Sequence, residues 1–549
     1  MKKIFYLMIA FTLTLSSCND YLDVNSSNNY PHTSSIIPPA LLANALSTTF
    51  ITQAVTMNEY GNLMTNYWSG NTAYYTQPYS TEFTMNFTTS TRQGIWNGLY
   101  TGMANFNNMI VYPNDSGVYD NHVAIAKIMK SYYMEYIVAL YGNAPYSKSF
   151  NVDIQHPSYD NDKAIYADLF NQLESAKAML NGGGSVNASS VGAEDIVFNG
   201  DLTSWVKFAN TIELKMCLRL SNVTDPTSIA LREQYLALLS GAEFVDSDVK
   251  VNPGYNNSTE SQYNPFSLYY SKIYDPNAGG ATYGSYSARL ACASSYVAKV
   301  LMANVNQPGG IVNTGGTAKD PRRGKMFIAN SSGNIIGIDQ GVSTMPTPSL
   351  VGSGLTGFTG LSAIDAFENA ESKPGFLMTK AESLFLQAEA EYRSQQAINN
   401  FNGGVDLGFG DPHTLFDSAV SASFDFFVLP LTNYTPLPLS TTAATYLGTG
   451  STGVGNKLGL GWAGTPDKLQ VILTQKWLAV SGINGMEPFL DKLRTGFPNN
   501  PLSTNASQPN SPYRLLYPAS EYSNNSANVP NVSLSQIFVK NQFTPFWLQ

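Results

Sequence analysis

Five separated segments of this chain repeat an apolar residue every three or four positions, and that period commits them to α-helix. Ile125, Met129, Tyr132, Tyr136 and Leu140 form one series, and Ile165, Leu169, Leu173, Ala176 and Leu180 a second. Trp205, Phe208, Ile212, Met216 and Leu220 form a third. Much later come Leu377, Ala381, Leu384, Ala388 and Tyr392, then Leu469, Leu473, Trp477 and Val480. Each series predicts a helix with one apolar stripe. A start is marked at Thr465-Pro466-Asp467, where the threonine can cap, the proline fits the first helical position and the acid suits the positive helix end. Gly142, Gly182 to Gly184 and Gly241 stand where helices should stop. The spacing predicts helix pairs joined by short turns, stacked because neither member can bury its stripe alone. No clean repeat consensus is visible, so the repeats are degenerate.

Between the helical segments lie irregular stretches at about 243–285, 306–370, 398–465 and 497–549, rich in Gly, Pro, Asn, Ser and Tyr. Loops of that length are uncommon in compact domains and usually functional. Short apolar pairs such as Phe327-Ile328 and Ile335-Ile336 allow only minor hairpins there.

The N-terminus is an address. Lys2 and Lys3 precede an apolar run from Ile4 to Leu15, and Ser16-Ser17-Cys18 follows before the sequence turns polar. That is a secretory signal with small residues at the cut. A cysteine directly after them is the acceptor for diacylglyceryl transfer in bacterial lipoproteins, so Cys18 is expected to be lipidated and to begin the mature chain. The run is too short to span a bilayer, which needs ~20 apolar residues. Loss of residues 1–17 removes two lysines and no acid, taking the net charge from −9 to −11. An acidic chain without a basic stretch argues against nucleic acid. Charged residues make up only 13% of the chain, against ~25% on average, while aromatics reach 12% with 33 Tyr. Such a surface suits neutral polar ligands, sugars or peptides. Cys217 falls in a helical stripe, so a buried free thiol is expected; a disulfide with Cys292 stays open in an oxidising compartment.

Several stretches, taken in order, resemble the SusD/RagB-type nutrient-binding outer-membrane lipoproteins of Bacteroidetes, and their SusD-like subfamily more closely. They are Cys18 to Asn25 (CNDYLDVN), AIAKIMKSYYMEYIVALYGNAPYSKSF (124–150), WVKFANTIELKMCLRLS (205–221), KDPRR (319–323), LMTKAESLFLQAEAEYR (377–393), LTQKWLAVSG (473–482), LRTGFP (493–498) and RLLYPASEYSNN (514–525). Two departures touch local salt bridges: Lys492-Leu493-Arg494 stands where the subfamily often has two arginines, and Ala139-Leu140 where an Asp usually precedes Tyr-Gly. The resemblance implies a mainly α fold: tetratricopeptide-like helix pairs in a right-handed superhelical bundle with a large loop-rich region packed on it. On this basis residues 1–17 are the signal, 18–39 a lipidated tether and partner arm, and 40–549 one domain. Its helical core is expected at about 40–240, 371–396 and 466–498, and its ligand region at about 243–370, 398–465 and 499–549. The resemblance further implies a surface lipoprotein that captures oligosaccharides or peptides, does no chemistry, and sits over a SusC-like TonB-dependent transporter in the outer membrane. Capping a barrel predicts a stable interface of ~2,000 Å² or more.

The residues themselves point to aromatic loops as the ligand site. Residues 67–83 carry Trp68, Tyr74, Tyr75 and Tyr79, and residues 263–286 carry Tyr269, Tyr270, Tyr274 and Tyr283. Sugar rings stack their C–H faces on aromatic rings, each contact contributing ~0.5–1.5 kcal/mol beyond burial. Lys476 and Trp477 read as packing residues, and Asp320, Arg322 and Arg323 as a turn held by ion pairs. Catalysis finds little support. His32, His122, His156 and His413 fall in no metal-ligand spacing, and no nucleophile elbow, phosphate loop or zincin motif occurs. Glu389 and Glu391 are two apart on a helix and point to different sides, and Asp365 with Glu368 reads as a solvated edge. No cofactor is expected beyond the lipid; the Asn- and Asp-rich loops allow a calcium ion without showing its twelve-residue pattern. The competing readings are a scaffold or adhesion lipoprotein binding proteins through its helical repeat, and a surface glycoside hydrolase.

Overall fold

Pro38 opens the first helix among the described residues, where its fixed φ suits the first turn. The computed structural model describes residues 36–256, 258–266, 272–275, 280–283, 290–302, 318–329, 334–342, 347–351, 372–428 and 442–549. Cys18 and most of the expected tether lie outside them, as do Tyr269, Tyr270, Asp365 and Glu368. Helix α1 (Pro38–Thr52) runs through a π turn at Gln53–Met57 into α2 (Asn58–Met64). Its inner face is Leu41, Leu42, Ala45, Leu46 and Phe50. Helix α3 (Gln93–Ile110) packs on α1 very closely. A Cβ at Gly98 would stand 2.2 Å from the Thr52 hydroxyl oxygen, and one at Gly102 2.1 Å from that of Thr49. Any larger side chain at either position would push the helices apart.

Helix α4 (Asp120–Tyr141) lies between α3 and α5 (Asp162–Ala178). It departs from the expected single stripe, since it is buried on nearly every side from Val123 to Tyr141. The far end of the chain covers its remaining face: the Trp547 indole donates to the Ala139 carbonyl (3.3 Å), and the Tyr517 hydroxyl to that of Tyr141 (3.1 Å). Helices α5, α6 (Leu202–Arg219) and α7 (Pro226–Leu238) are each capped by the side chain before them: Asn161 to Ala164 N (3.3 Å), Asp201 to Thr203 N (3.0 Å), Asp225 to Ser228 N (3.0 Å). These caps satisfy N–H groups that the helix itself leaves unpaired.

The later helices return to this layer. Helix α8 (Lys380–Gln395) begins after a cap by Thr379, whose hydroxyl accepts from Glu382 N (3.1 Å). The expected start at Leu377 is displaced, because Gly375–Met378 is a strand. Helix α9 (Pro412–Val428) runs along α8, inside a stretch expected to be irregular. Helix α10 (Lys468–Val480) is capped by Asp467, which accepts from Leu469 N (3.0 Å). The expected cap, Thr465, is occupied elsewhere, accepting from Gly459 N (2.8 Å). Helix α11 (Met486–Thr495) lies against α2.

Strands are short and paired two by two, all antiparallel. They are β1 (Trp68–Gly70) with β7 (Ala291–Ala293), β2 (Ala144–Pro145) with β3 (Tyr159–Asp160), β4 (Val249–Val251) with β8 (Gly375–Met378), and β5 (Lys272–Asp275) with β6 (Gly280–Tyr283). Among the described residues they form no sheet layer.

Charge runs through the helical core. Lys215 and Arg219 on α6 contact Glu135 on α4 (3.5 and 3.1 Å) and Glu487 on α11 (3.1 Å each). Arg494 on α11 grips Glu389 on α8 with both terminal nitrogens, the longer contact at 2.9 Å, and also reaches Asp491 (2.8 Å). Arg393 adds a contact to Glu389 (2.7 Å), and Lys476 on α10 one to Asp491 (2.8 Å). All of these side chains are buried. Lys476 and Trp477 are thus core residues, as expected. Asp320 and Arg322 also pair structurally (2.8 Å), though in the core rather than at the surface. Cys217 and Cys292 are buried free thiols.

Candidate functional site

The aromatic segment after α2 is held by an irregular but heavily bonded backbone. Thr65 returns its hydroxyl to the Gly61 carbonyl (2.9 Å), and Asn66 adopts φ 51°. This turn directs Tyr67 inward, against Phe327 and Trp477 with ring centroids 5.2 and 5.5 Å away. The chain then enters β1, where Trp68 stands opposite Ala293. Gln340 Nε2 donates to the Trp68 carbonyl (2.7 Å), and Asn71 N to the Leu290 carbonyl (2.7 Å). The first aromatic segment is therefore tied by its backbone to residues 290–293, which follow the second aromatic segment, across more than two hundred residues of sequence.

The rings fare differently. Trp68 is fully buried, which removes it from the solvent-facing platform expected of it; a side chain on a paired strand against the core cannot also face solvent. Tyr74 and Tyr75 are 41% and 49% exposed. Both sit on a turn closed by their N–H groups donating to the Asn71 carbonyl (3.1 and 3.0 Å). Tyr79 is half-buried against Phe83, and its hydroxyl donates to Glu59 (2.9 Å). Glu59 in turn pairs with Arg92, which also holds Glu82. For Tyr274 and Tyr283 the described backbone is that of β5 and β6, and Tyr269 and Tyr270 lie outside the described residues.

Thr72 and Gln77, on either side of the Tyr74–Tyr75 turn, line a cleft of about 80 Å³ with Ser69, Asp339, Val342 and Asn505 among others; neither tyrosine lines it. Small-molecule sites usually enclose ~300–1,000 Å³, so this cleft admits a single polar group and no whole ring. Two exposed phenols thus stand on a turn whose flanking residues, Thr72 and Gln77, enter a notch of hydroxyl, amide and carboxylate groups.

The two acids weighed on the later helix are both held in structural contacts. Glu389 is locked between Arg393 and Arg494. Glu391 accepts from the N–H groups of Leu407 (3.3 Å) and Phe409 (3.1 Å). Burial first, then neighbouring Asp406, lifts its carboxyl to about 7. His122 meets Glu194 (3.0 Å), His156 the Asn524 carbonyl (2.7 Å), and His413 stacks on Trp462 at 4.7 Å. Among the described residues no group of three or more His, Cys, Asp or Glu is placed to hold a metal ion, and no helix is long and apolar enough to cross a membrane.

Sequence reasoning did not single out a larger cleft of about 570 Å³ among α3, α4 and α5. There Lys130 donates to Asn107 Oδ1 (2.9 Å) and lies 5.5 and 5.2 Å from the ring centres of Tyr146 and Phe150. Burial lowers its ammonium to about 8 against the opposing pull of Asp168. Tyr146 donates to Asp168 (2.6 Å), so the polar groups here are already matched to one another.

Comparison with known proteins follows the same lines. Residues 29–262 match a SusD-like family model described as starch-binding associating with outer membrane, and residues 315–549 match one described as SusD and RagB outer membrane lipoprotein. No curated protein matches the chain. Among solved structures it is similar to a chitin-binding SusD homologue from Flavobacterium johnsoniae, with 19% identity, TM-score 0.65, and coverage of 92% of this chain and 98% of that one. It is also similar to a SusD/RagB family protein from Bacteroides thetaiotaomicron (20% identity, TM-score 0.62, 90% and 95% covered). A SusD homologue from Bacteroides uniformis gives 20% identity, TM-score 0.61, and 93% and 99% coverage. At such identity the likeness establishes the fold.

Proposed function

From its membership of the SusD/RagB-type outer-membrane lipoproteins, we propose that this chain captures oligosaccharides at the cell surface and passes them to a SusC-like TonB-dependent transporter. The observation that carries the ligand half is the exposed Tyr74–Tyr75 pair, presented on a bonded turn beside a polar notch. Two such rings supply weak, reversible binding, which suits a protein that must release what it holds. Cys18 carries the lipid, and its acyl chains, at ~0.8 kcal/mol per buried methylene, keep the protein at the membrane. The helical layer is the surface offered to the transporter. The acids being tied into ion pairs and caps supports binding without bond cleavage.

The test is binding of maltoheptaose, chitohexaose and xylohexaose by calorimetry, with Tyr74→Ala/Tyr75→Ala beside the native protein. At ~0.5–1.5 kcal/mol per ring, the double substitution should weaken the bound saccharide about tenfold with an unchanged melting temperature. Native affinity in the variant would refute the platform, and release of reducing ends by the native protein would refute the binding-only reading.

A further inference from the structure

A second cleft, of about 520 Å³, lies where the chain's last segment crosses the turns that end α4 and begin α5 and α7. It shares no lining residue with the notch beside the Tyr74–Tyr75 turn. Its volume falls within the range usual for small-ligand sites, ~300–1,000 Å³.

Its charged side chains balance, two acids against two bases. Lys163 pairs with Asp225 (2.8 Å). Arg514 lies opposite Asp162, whose carboxylate accepts the N–H groups of Phe546 and Lys163 (2.9 Å each). An anionic or cationic ligand would therefore meet one repulsive partner for each attractive one. A neutral ligand whose groups donate and accept at once meets none. The rim fits that chemistry: Asn143, Asn161, Gln542 and Thr224 are exposed amides and a hydroxyl, and Phe543 and Pro530 supply half-buried apolar faces.

One group on the floor is incompletely matched. Arg514 is 3% exposed; its Nη1 donates to the Phe543 carbonyl (2.6 Å), its Nε to that of Leu515 (3.1 Å), and its guanidinium lies 4.6 Å from the Tyr517 ring centre. Its Nη2 is buried and makes no hydrogen bond. A buried donor left in that state is costly, so a shift of the guanidinium that let an incoming oxygen meet it would gain more than at a satisfied site. The 570 Å³ cleft at Lys130 offers no such vacancy.

We propose that this cleft, floored by Arg514 and rimmed by Asn143 and Gln542, is a second binding site for a neutral saccharide, separate from the Tyr74–Tyr75 platform. The proposal rests on the saccharide reading above.

The test titrates the full chain with maltoheptaose, chitohexaose and xylohexaose while counting saturable sites by calorimetry and NMR. Gln542→Trp places a bulky ring at an exposed rim position and should leave the fold intact; Arg514→Lys keeps the charge and removes Nη2. Two sites are expected in the native protein. Gln542→Trp should weaken one of them at least tenfold, Arg514→Lys should weaken that same one, and Tyr74→Ala/Tyr75→Ala should affect only the other. A single native site that is lost in the tyrosine variant and indifferent to Gln542→Trp overturns the second site and leaves the proposed function standing. Absence of binding by all three saccharides overturns both.

Discussion

Replacing Arg494 with Met should cost this protein more stability than almost any other single charge removal. Its guanidinium binds both oxygens of Glu389, one oxygen of Asp491 at 2.8 Å, and Ser221 Oγ at 2.9 Å, at a side-chain exposure of 1%. Arg393 would remain on Glu389 and Lys476 on Asp491, so neither acid would be left bare, but each would lose its best partner. Removing one member of a buried pair typically costs ~3–5 kcal/mol. Unfolding entropy near ~2.1 cal/mol/K per residue amounts to ~1 kcal/mol/K for a chain of this length, so the expected fall in melting temperature is ~3–5 °C. Arg494→Lys keeps the charge without the two-pronged grip and should fall about half as far. The assay is thermal unfolding of the unacylated chain by circular dichroism at one scan rate, at pH 7 and pH 3.5. Burial alone would raise the Glu389 carboxyl, yet Arg494 and Arg393 beside it hold it well below the usual carboxylate range. A lowered folded pKa stabilises above the unfolded value of ~4.3 and is lost as pH falls through the folded one. The gap between native and Arg494→Met should therefore narrow at pH 3.5. A shift under 1 °C at pH 7, or a gap that widens in acid, would refute the view that this network holds α8 and α11 together.

Two further outcomes follow from burial. Trp68→Ala should lower stability by ~3–5 kcal/mol, as large core truncations do; denaturant melts check it, and an unchanged midpoint would return Trp68 to the ligand face. Burial first, then the charge of Glu487, lifts the Glu382 carboxyl to about 8, so this group opposes folding increasingly as pH rises from ~4.3 to that value. Glu382→Gln, a neutral mimic of the protonated acid, should raise the melting temperature at pH 8.5 and change it little at pH 4; the reverse order would show that Glu382 is ionised in the fold.

What the sequence made legible is what depends on neighbours in sequence. The stripes at 125–140, 165–180, 205–220 and 469–480 lie in helices because a period of 3.6 is a local property. Helix α9 escaped notice since its sequence is rich in Ser, Phe and Val, which are middling helix formers. Its start was nonetheless written in Asp411-Pro412, and Asp411 does accept from Thr414 N (2.8 Å). The cap of α10 slipped by two residues for a tertiary reason, the Thr465 hydroxyl being claimed by the loop before it. The binding face shows the limit more sharply. Trp68 and Tyr74 are six residues apart and alike in composition, but β7 pairs with β1 and ends before Asn71 turns away. That pairing, set from across the chain, sends one ring into the core and leaves the other in water. The ion network obeys the same rule. Lys215 with Arg219, and Glu389 with Arg393, stand four apart and so share a helix face, but nothing local marks that face as buried. Their partners come from α4 and α11, so only folding could reveal that the motifs scattered along the chain belong together. If that network fixes how the early and late helices register, weakening it should loosen the loops they carry. Arg494→Met would then lower saccharide affinity at Tyr74 and Tyr75, which it does not touch, and do so more at 37 °C than at 10 °C.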